Sequence, residues 1–203
     1  MSRYRTRSWR KLDPQALAAR TRPVQAVSVA AGADSVRILG LDPGSRRTGF
    51  GIIECRGGQY AHITHGCLNV GGDAMVERLR RIFEALTALI AEHRPAEVAV
   101  EQVFVKRNVA SALKLGQARG AALCAVPAGT AVFEYAPRAI KLALVGSGAA
   151  EKCQVVHMIR ALLRLDGPLQ LDASDALAVA VCHAHARDLR LITQERSVLP
   201  GAR

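Results

Sequence analysis

Between residues 36 and 70 three runs rich in apolar residues, "VRILGLD", "TGFGIIEC" and "YAHITHGCLNV", succeed one another with only "PGSRR" and "RGGQ" between them. Connections that short predict a three-stranded antiparallel meander. The next stretch breaks the pattern. "DAMVERLRRIFEALTALIAEHR" sets Met75, Leu79, Ile82, Leu86, Leu89 and Ile90 three and four apart, which predicts an amphipathic helix closing at Pro95. A fourth strand, "EVAVEQVFV", a helix, "VASALKLGQARGAALCAV", and a fifth strand, "TAVFEYA", come next. "PRAIKLALVG", the helix "AAEKCQVVHMIRALLRL" and the helix "DASDALAVAVCHAHARDLR" complete the chain's patterned part. This order predicts an α/β fold, a five-stranded mixed sheet with helices on both faces.

The chain of 203 residues, half of them hydrophobic, is long enough to bury one normal core without staples. We divide it into a basic N-terminal extension over 1–35, a folded domain over 36–188 and a C-terminal tail over 189–203. The extension is arginine-rich and weakly patterned, so it is expected to be disordered. A DNA-binding arm, a transit peptide and translation from a start codon placed too far upstream all fit it. No apolar run approaches the roughly 18 residues of a membrane span, and no secretory leader is recognisable, so a soluble intracellular protein is expected. The cysteines, Cys55, Cys67, Cys124, Cys153 and Cys182, are odd in number and widely spaced. They predict buried reduced thiols rather than disulfides or a zinc site.

A formal charge of +11 predicts a polyanionic partner, nucleic acid before an anionic membrane. Residues 1–35 hold seven Lys/Arg against two acids, and residues 36–203 hold 21 against 15. The folded part is therefore basic in its own right.

Against this background four acids stand out. Asp42 ends the first strand, and Pro43 keeps its backbone extended while Pro43-Gly44 turns the chain away. Alone it would be an aspartate organising its own turn. Glu101 interrupts an apolar strand, where an acid is costly unless exposed or bound to something positive. Asp172 and Asp175 open the last helix three residues apart and share a face, although Asp172 as N-cap with Asp175 beyond it approximates a capping box. The joint pattern outweighs these separate readings. Unit charges about 4 Å apart repel by about 4 kcal/mol at an effective dielectric near 20, so converging acids need cations. Oxygen donors without His or Cys at zinc spacing select hard ions such as Mg2+ or Mn2+. Two such ions promote in-line phosphodiester cleavage. With the basic charge, the expectation is a nuclease.

Four blocks carry a more specific signal: "ILGLDPGSRRTGFGII", "EQVFVKRNVASALKLGQARG", "FEYAPRAIKLALVGSGAAEKCQVVHMI" and "DASDALAVAVCHAH". In this order they closely resemble the RuvC family of Holliday junction resolvases, bacterial endonucleases with the ribonuclease H-like fold, over residues 37–186. The resemblance implies that Asp42, Glu101, Asp172 and Asp175 are the metal-binding catalytic carboxylates. Some relatives carry histidine at the third of these positions. It implies that Phe104 stacks on unpaired bases near the crossover, a contact worth about 1 to 3 kcal/mol per base, although a core phenylalanine would look the same. Lys141 and Lys152 match family lysines near the DNA backbone, and Lys106 and Arg107 are candidates for phosphate contacts. Two Mg2+ per active site are implied, with Mn2+ able to substitute. So are a homodimer built on "VASALKLGQARGAALCAV", a four-way DNA junction cut by paired symmetric nicks, a junction branch-migration motor complex as partner, and a cytoplasmic, nucleoid-associated location.

Two other classes share features with this chain. Actin-like ATPases carry phosphate loops similar to "DPGSRRTG", but they clasp nucleotide between two domains and this chain has room for one. A DNA-binding module that had lost its chemistry would keep the fold and the charge, but all four acids are present.

Overall fold

The meander forms where the turn chemistry places it. β1 (Val36–Asp42), β2 (Arg47–Arg56) and β3 (Gln59–Asn69) pair antiparallel, and Gly57 and Gly58 both take positive φ, 54° and 76°, in the two-residue turn between β2 and β3. Such a turn favours glycine because a Cβ is strained there. The computed structural model describes residues 35–72, 74–103 and 109–198, with side chains as far as Leu189. After the meander come α1 (Met75–His93), β4 (Glu97–Glu101), α2 (Val109–Cys124), β5 (Ala131–Tyr135), α3 (Pro137–Val145), α4 (Lys152–Leu163) and α5 (Leu171–Val198). The sheet order is β3-β2-β1-β4-β5, with β4 parallel to both β1 and β5. This is the five-stranded mixed sheet the pattern predicts.

Strand alternation divides the core in two. Leu39, Leu41, Phe50, Ile52, Val98 and Val100 face α1 and α2. Ile38, Ile53, Cys55 and Ala99 face α3, α4 and α5. α1 stops as a helix should before proline: Arg94 takes φ 48°, its N–H returns to the Ile90 carbonyl, and Pro95 comes next. α5 lies directly on the sheet because β1 and β2 present glycines beneath it. A Cβ at Gly40 would fall 2.0 Å from the Ala176 carbonyl oxygen, and one at Gly51 would fall 2.6 Å from Leu177. Glycine is required at both positions by contact.

Several boundaries differ from expectation. β4 ends at Glu101, so Gln102 and Val103 are outside the strand. α4 begins at Lys152 behind a capping box of Glu151 and Gln154, later than apolar spacing alone places it. α5 runs to Val198, past the stretch read as its end. All five cysteines are free, but Cys124 and Cys153 are exposed and only Cys55 and Cys182 are buried, because apolar neighbours in sequence on a helix need not share its inward face. Among the described residues no helix is long and apolar enough to cross a membrane.

Candidate active site

The β1–β4 ladder ends at the Leu41–Val100 pair, so Asp42 and Glu101 are the next residues on adjacent parallel strands. Alternation puts both side chains on the face covered by α5, since Leu41 and Val100 point to the other core. The start of α5 is brought over the same spot. Gly49 pairs with Asp42, and a Cβ there would lie 1.9 Å from the Asp172 carbonyl oxygen. The Ser174 N–H bonds the Gln170 carbonyl at 2.9 Å, so Gln170 occupies the cap and Asp172 lies within the first turn. Asp172 is thus not the N-cap that the capping-box reading would make it.

The electrostatics tie these acids together. The Asp42 carboxyl is pushed up to about 7, first by burial and then by Glu101, Asp175 and Asp172, with Lys152 opposing. Glu101 is also raised, by burial and then by Asp175, with Lys152 and Lys141 opposing. Lys152 donates from Nζ to Asp175 Oδ2 at 2.9 Å, and this bond is the main reason its ammonium is held above the usual lysine range. Asp172 Oδ2 accepts from the Cys67 thiol at 3.6 Å and lies 3.8 Å from Arg47 Nη1. Burial and the Asp172 charge push that thiol up to about 11, which keeps it a proton donor at neutral pH.

The surroundings match in sequence as well as in shape. A family model described as crossover junction endodeoxyribonuclease RuvC matches residues 38–183. The chain belongs to the RuvC family. The crossover junction endodeoxyribonuclease RuvC of Halorhodospira halophila is 59% identical over 157 residues, covering 76% of this chain and 93% of that one. That of Methylococcus capsulatus is 57% identical over 152 residues, covering 74% and 92%. Among solved structures, T. thermophilus RuvC in complex with Holliday junction substrate superposes with a TM-score of 0.72 at 33% identity, over 76% of this chain and 96% of that one.

RuvC nucleases depend on metal, and the donor set fits a hard divalent ion. It is made of carboxylates, and one of them is raised to about 7 first by burial and then by three like charges that a cation would offset. Among the described residues the acids do not close into a group of three around one point. Asp175 is turned onto Lys152, and Asp172 onto Cys67 and Arg47. The Lys152 side chain is 68% exposed, so releasing Asp175 requires only rotation of a long surface stem.

Phe104, Lys106 and Arg107 lie outside the described residues. Lys141, on α3, is close enough to act on the Glu101 charge, and Lys152 bonds an acid of the cluster directly. Sequence reasoning missed Arg47, Cys67 and Arg119. Arg47 stands in the same "DPGSRRTG" stretch as Asp42 and was visible there as an uncommitted charge. Cys67 lies opposite Gly49 in the β2–β3 register, information that linear spacing does not carry.

Proposed function

We infer that this chain is a metal-dependent endodeoxyribonuclease that resolves Holliday junctions by paired symmetric nicks, acting in DNA recombination and repair. The observation that carries this reading is the crowding of the buried Asp42 carboxyl by the charges of Glu101, Asp175 and Asp172 beneath the start of α5, in a chain of the RuvC family. These four acids, Asp42, Glu101, Asp172 and Asp175, are the catalytic residues and would hold the metal. Two Mg2+ ions, for which Mn2+ would substitute, would supply Lewis acidity toward water and the scissile phosphate when held there.

The protein's own groups do the rest. Asp42 and Glu101 stand on strand ends, and the two aspartates in the first turns of α5 would turn from Lys152, Cys67 and Arg47 to join them. Lys152 and Lys141 receive the DNA backbone, and Lys152 exchanges its bond to Asp175 for a phosphate oxygen. Phe104 stacks on an unpaired base while Lys106 and Arg107 hold neighbouring phosphates. Cleavage leaves 5′-phosphate and 3′-hydroxyl ends.

The second copy of the chain docks along α2. Val109 and Leu113 are 70% and 65% exposed there, and a Cβ at Gly116 or Gly120 would meet nothing within 4 Å. That surface supports close approach about a twofold axis. The basic extension over 1–35 precedes the nuclease domain, and the segment 189–203 begins within α5 and follows it. A junction branch-migration motor is the expected partner, and the site of action is the cytoplasm at the nucleoid.

Asp42→Asn tests the reading. The variant is expected to bind a synthetic four-way junction at least as well as wild type in a gel-shift assay, because one repulsive charge is gone, and to cut it below detection in Mg2+. Nicking at the wild-type rate would remove Asp42 from the mechanism. Nucleotide-dependent thermal stabilisation with no metal-dependent cleavage would favour the actin-like ATPase class instead.

A further inference from the structure

Glu101 differs from the other acids of the cluster in how its backbone is held. It is the last residue of β4, past the last β1–β4 pair, and Pro43, which follows the end of β1 at Asp42, has no N–H to offer. The peptide linking Glu101 to Gln102 is nevertheless tied at both polar atoms. The Gln102 N–H donates to the Tyr135 carbonyl at 2.8 Å. The Glu101 carbonyl accepts from Arg119 Nη1 at 2.5 Å. The same guanidinium donates from Nη2 to Glu134 Oε1 at 2.6 Å, and its side chain is only 14% exposed.

Arg119 belongs to α2, and Glu134 to β5, where it pairs in register with Val100. One planar fork therefore joins three elements at the residue after which β4 ends. Lysine cannot reproduce this, because a single ammonium on a flexible stem lacks two donors held in a fixed fork.

We propose that Arg119 is a positioning residue for the nuclease reaction: by clamping the Glu101 peptide to α2 and β5 it fixes the direction in which the Glu101 carboxylate enters the site. The inference rests on the reading of Glu101 as a metal-holding acid. It has a consequence for assembly as well. α2 is the helix whose exposed Val109–Gly120 surface docks the second copy, so the seating of that helix and the placement of Glu101 meet in one side chain.

The test uses the full-length protein on a synthetic four-way junction under single-turnover conditions. Arg119→Lys is compared with wild type, Glu134→Ala and Glu101→Gln, with junction affinity, melting temperature, Mg2+ dependence of the rate and calorimetric Mn2+ binding measured for each. Removing support from behind a metal ligand lowers activity or metal affinity by roughly 10- to 100-fold, and Arg119→Lys is expected in that range. Its junction affinity and melting temperature should stay near wild type, with Mg2+ half-saturation and Mn2+ dissociation constant both raised. Glu134→Ala leaves the carbonyl bond in place and is expected to shift the same quantities in the same direction by less.

A folded Arg119→Lys with wild-type cleavage and wild-type metal binding overturns the proposal. So does a loss of cleavage matched by an equal loss of junction affinity, which marks a structural role. Glu101→Gln separates the two levels. If it cuts normally, the reading of the site itself fails; if it is inactive while Arg119→Lys is normal, only the role of Arg119 falls.

Discussion

Glu97 and Glu101 stand at opposite ends of β4, four residues apart and on the same face of the sheet, and α5 passes over both. Their surroundings are unlike. Glu97 is fully answered by α5: Oε2 lies 2.6 Å from His183 Nε2, and Oε1 accepts from Arg187 Nε at 3.3 Å. His183 is completely buried, stacked on Phe133 at 4.3 Å between centroids, with Nδ1 2.7 Å from the Tyr135 hydroxyl. Both ring nitrogens of His183 therefore have a polar partner. Glu101 instead meets the opposite end of α5, where the helix contributes two aspartates. Its carboxyl is raised, and the nearest opposing charges are lysine ammoniums reaching in from α3 and α4. An acid answered by the helix above it secures the fold, and an acid gathered with other acids makes a site.

The sharpest way to break this comparison is to neutralise each glutamate in turn. Glu101→Gln is expected to abolish junction cleavage with binding intact, whereas Glu97→Gln should leave cleavage per folded molecule little changed. Equal loss in both, measured on a radiolabelled junction, would erase the distinction. Next in size is stability. Glu97→Ala strips His183 and Arg187 of their shared acceptor, an unsatisfied charged contact that costs about 2 to 3 kcal/mol, or several degrees of melting temperature by calorimetry. A melting temperature equal to wild type would show that the pair is solvent-screened and does not hold the helix.

The smallest expected effect is a dependence on pH. The Asp42 carboxyl stands at about 7 in the folded chain against 3.8 as the ordinary value. Its contribution to stability is therefore complete below that ordinary value and is lost as pH rises through about 7. In chelator, the melting temperature should fall by a few degrees between about pH 5.5 and about pH 8, with the raised Glu101 acting in the same direction. Asp42→Asn should flatten that slope and Glu97→Gln should leave it. An unchanged slope in Asp42→Asn would assign the titration elsewhere.

Much of this was legible in the chain. The meander, the helix over 75–93 and the four acids emerge from alternation, three-and-four spacing and proline placement, all of which are local. Asp42 was readable because Pro43 constrains it from one residue away, and Glu101 because an acid in "EVAVEQVF" conflicts with its neighbours. The fork of Arg119 was not readable, since "LGQARG" gives no reason to prefer an internal partner over solvent. Nothing in "AVCHAHARD" singles out His183, whose partner Glu97 lies 86 positions earlier. Cys67 and Asp172 are 105 positions apart and meet only because β3 pairs with β2 at Gly49, where α5 touches the sheet.

The division has a physical cause. Which face a strand residue occupies is set by a repeat of two along the backbone, so the chain alone decided that Glu97 and Glu101 share a side. What charge waits on that side depends on which turn of a helix, folded back from more than 70 residues away, passes overhead. Coulomb energy is a function of distance in space, and only the close packing of α5 on the glycines of β1 and β2 determined that one glutamate receives a histidine and an arginine while the other receives the like charge of Asp175.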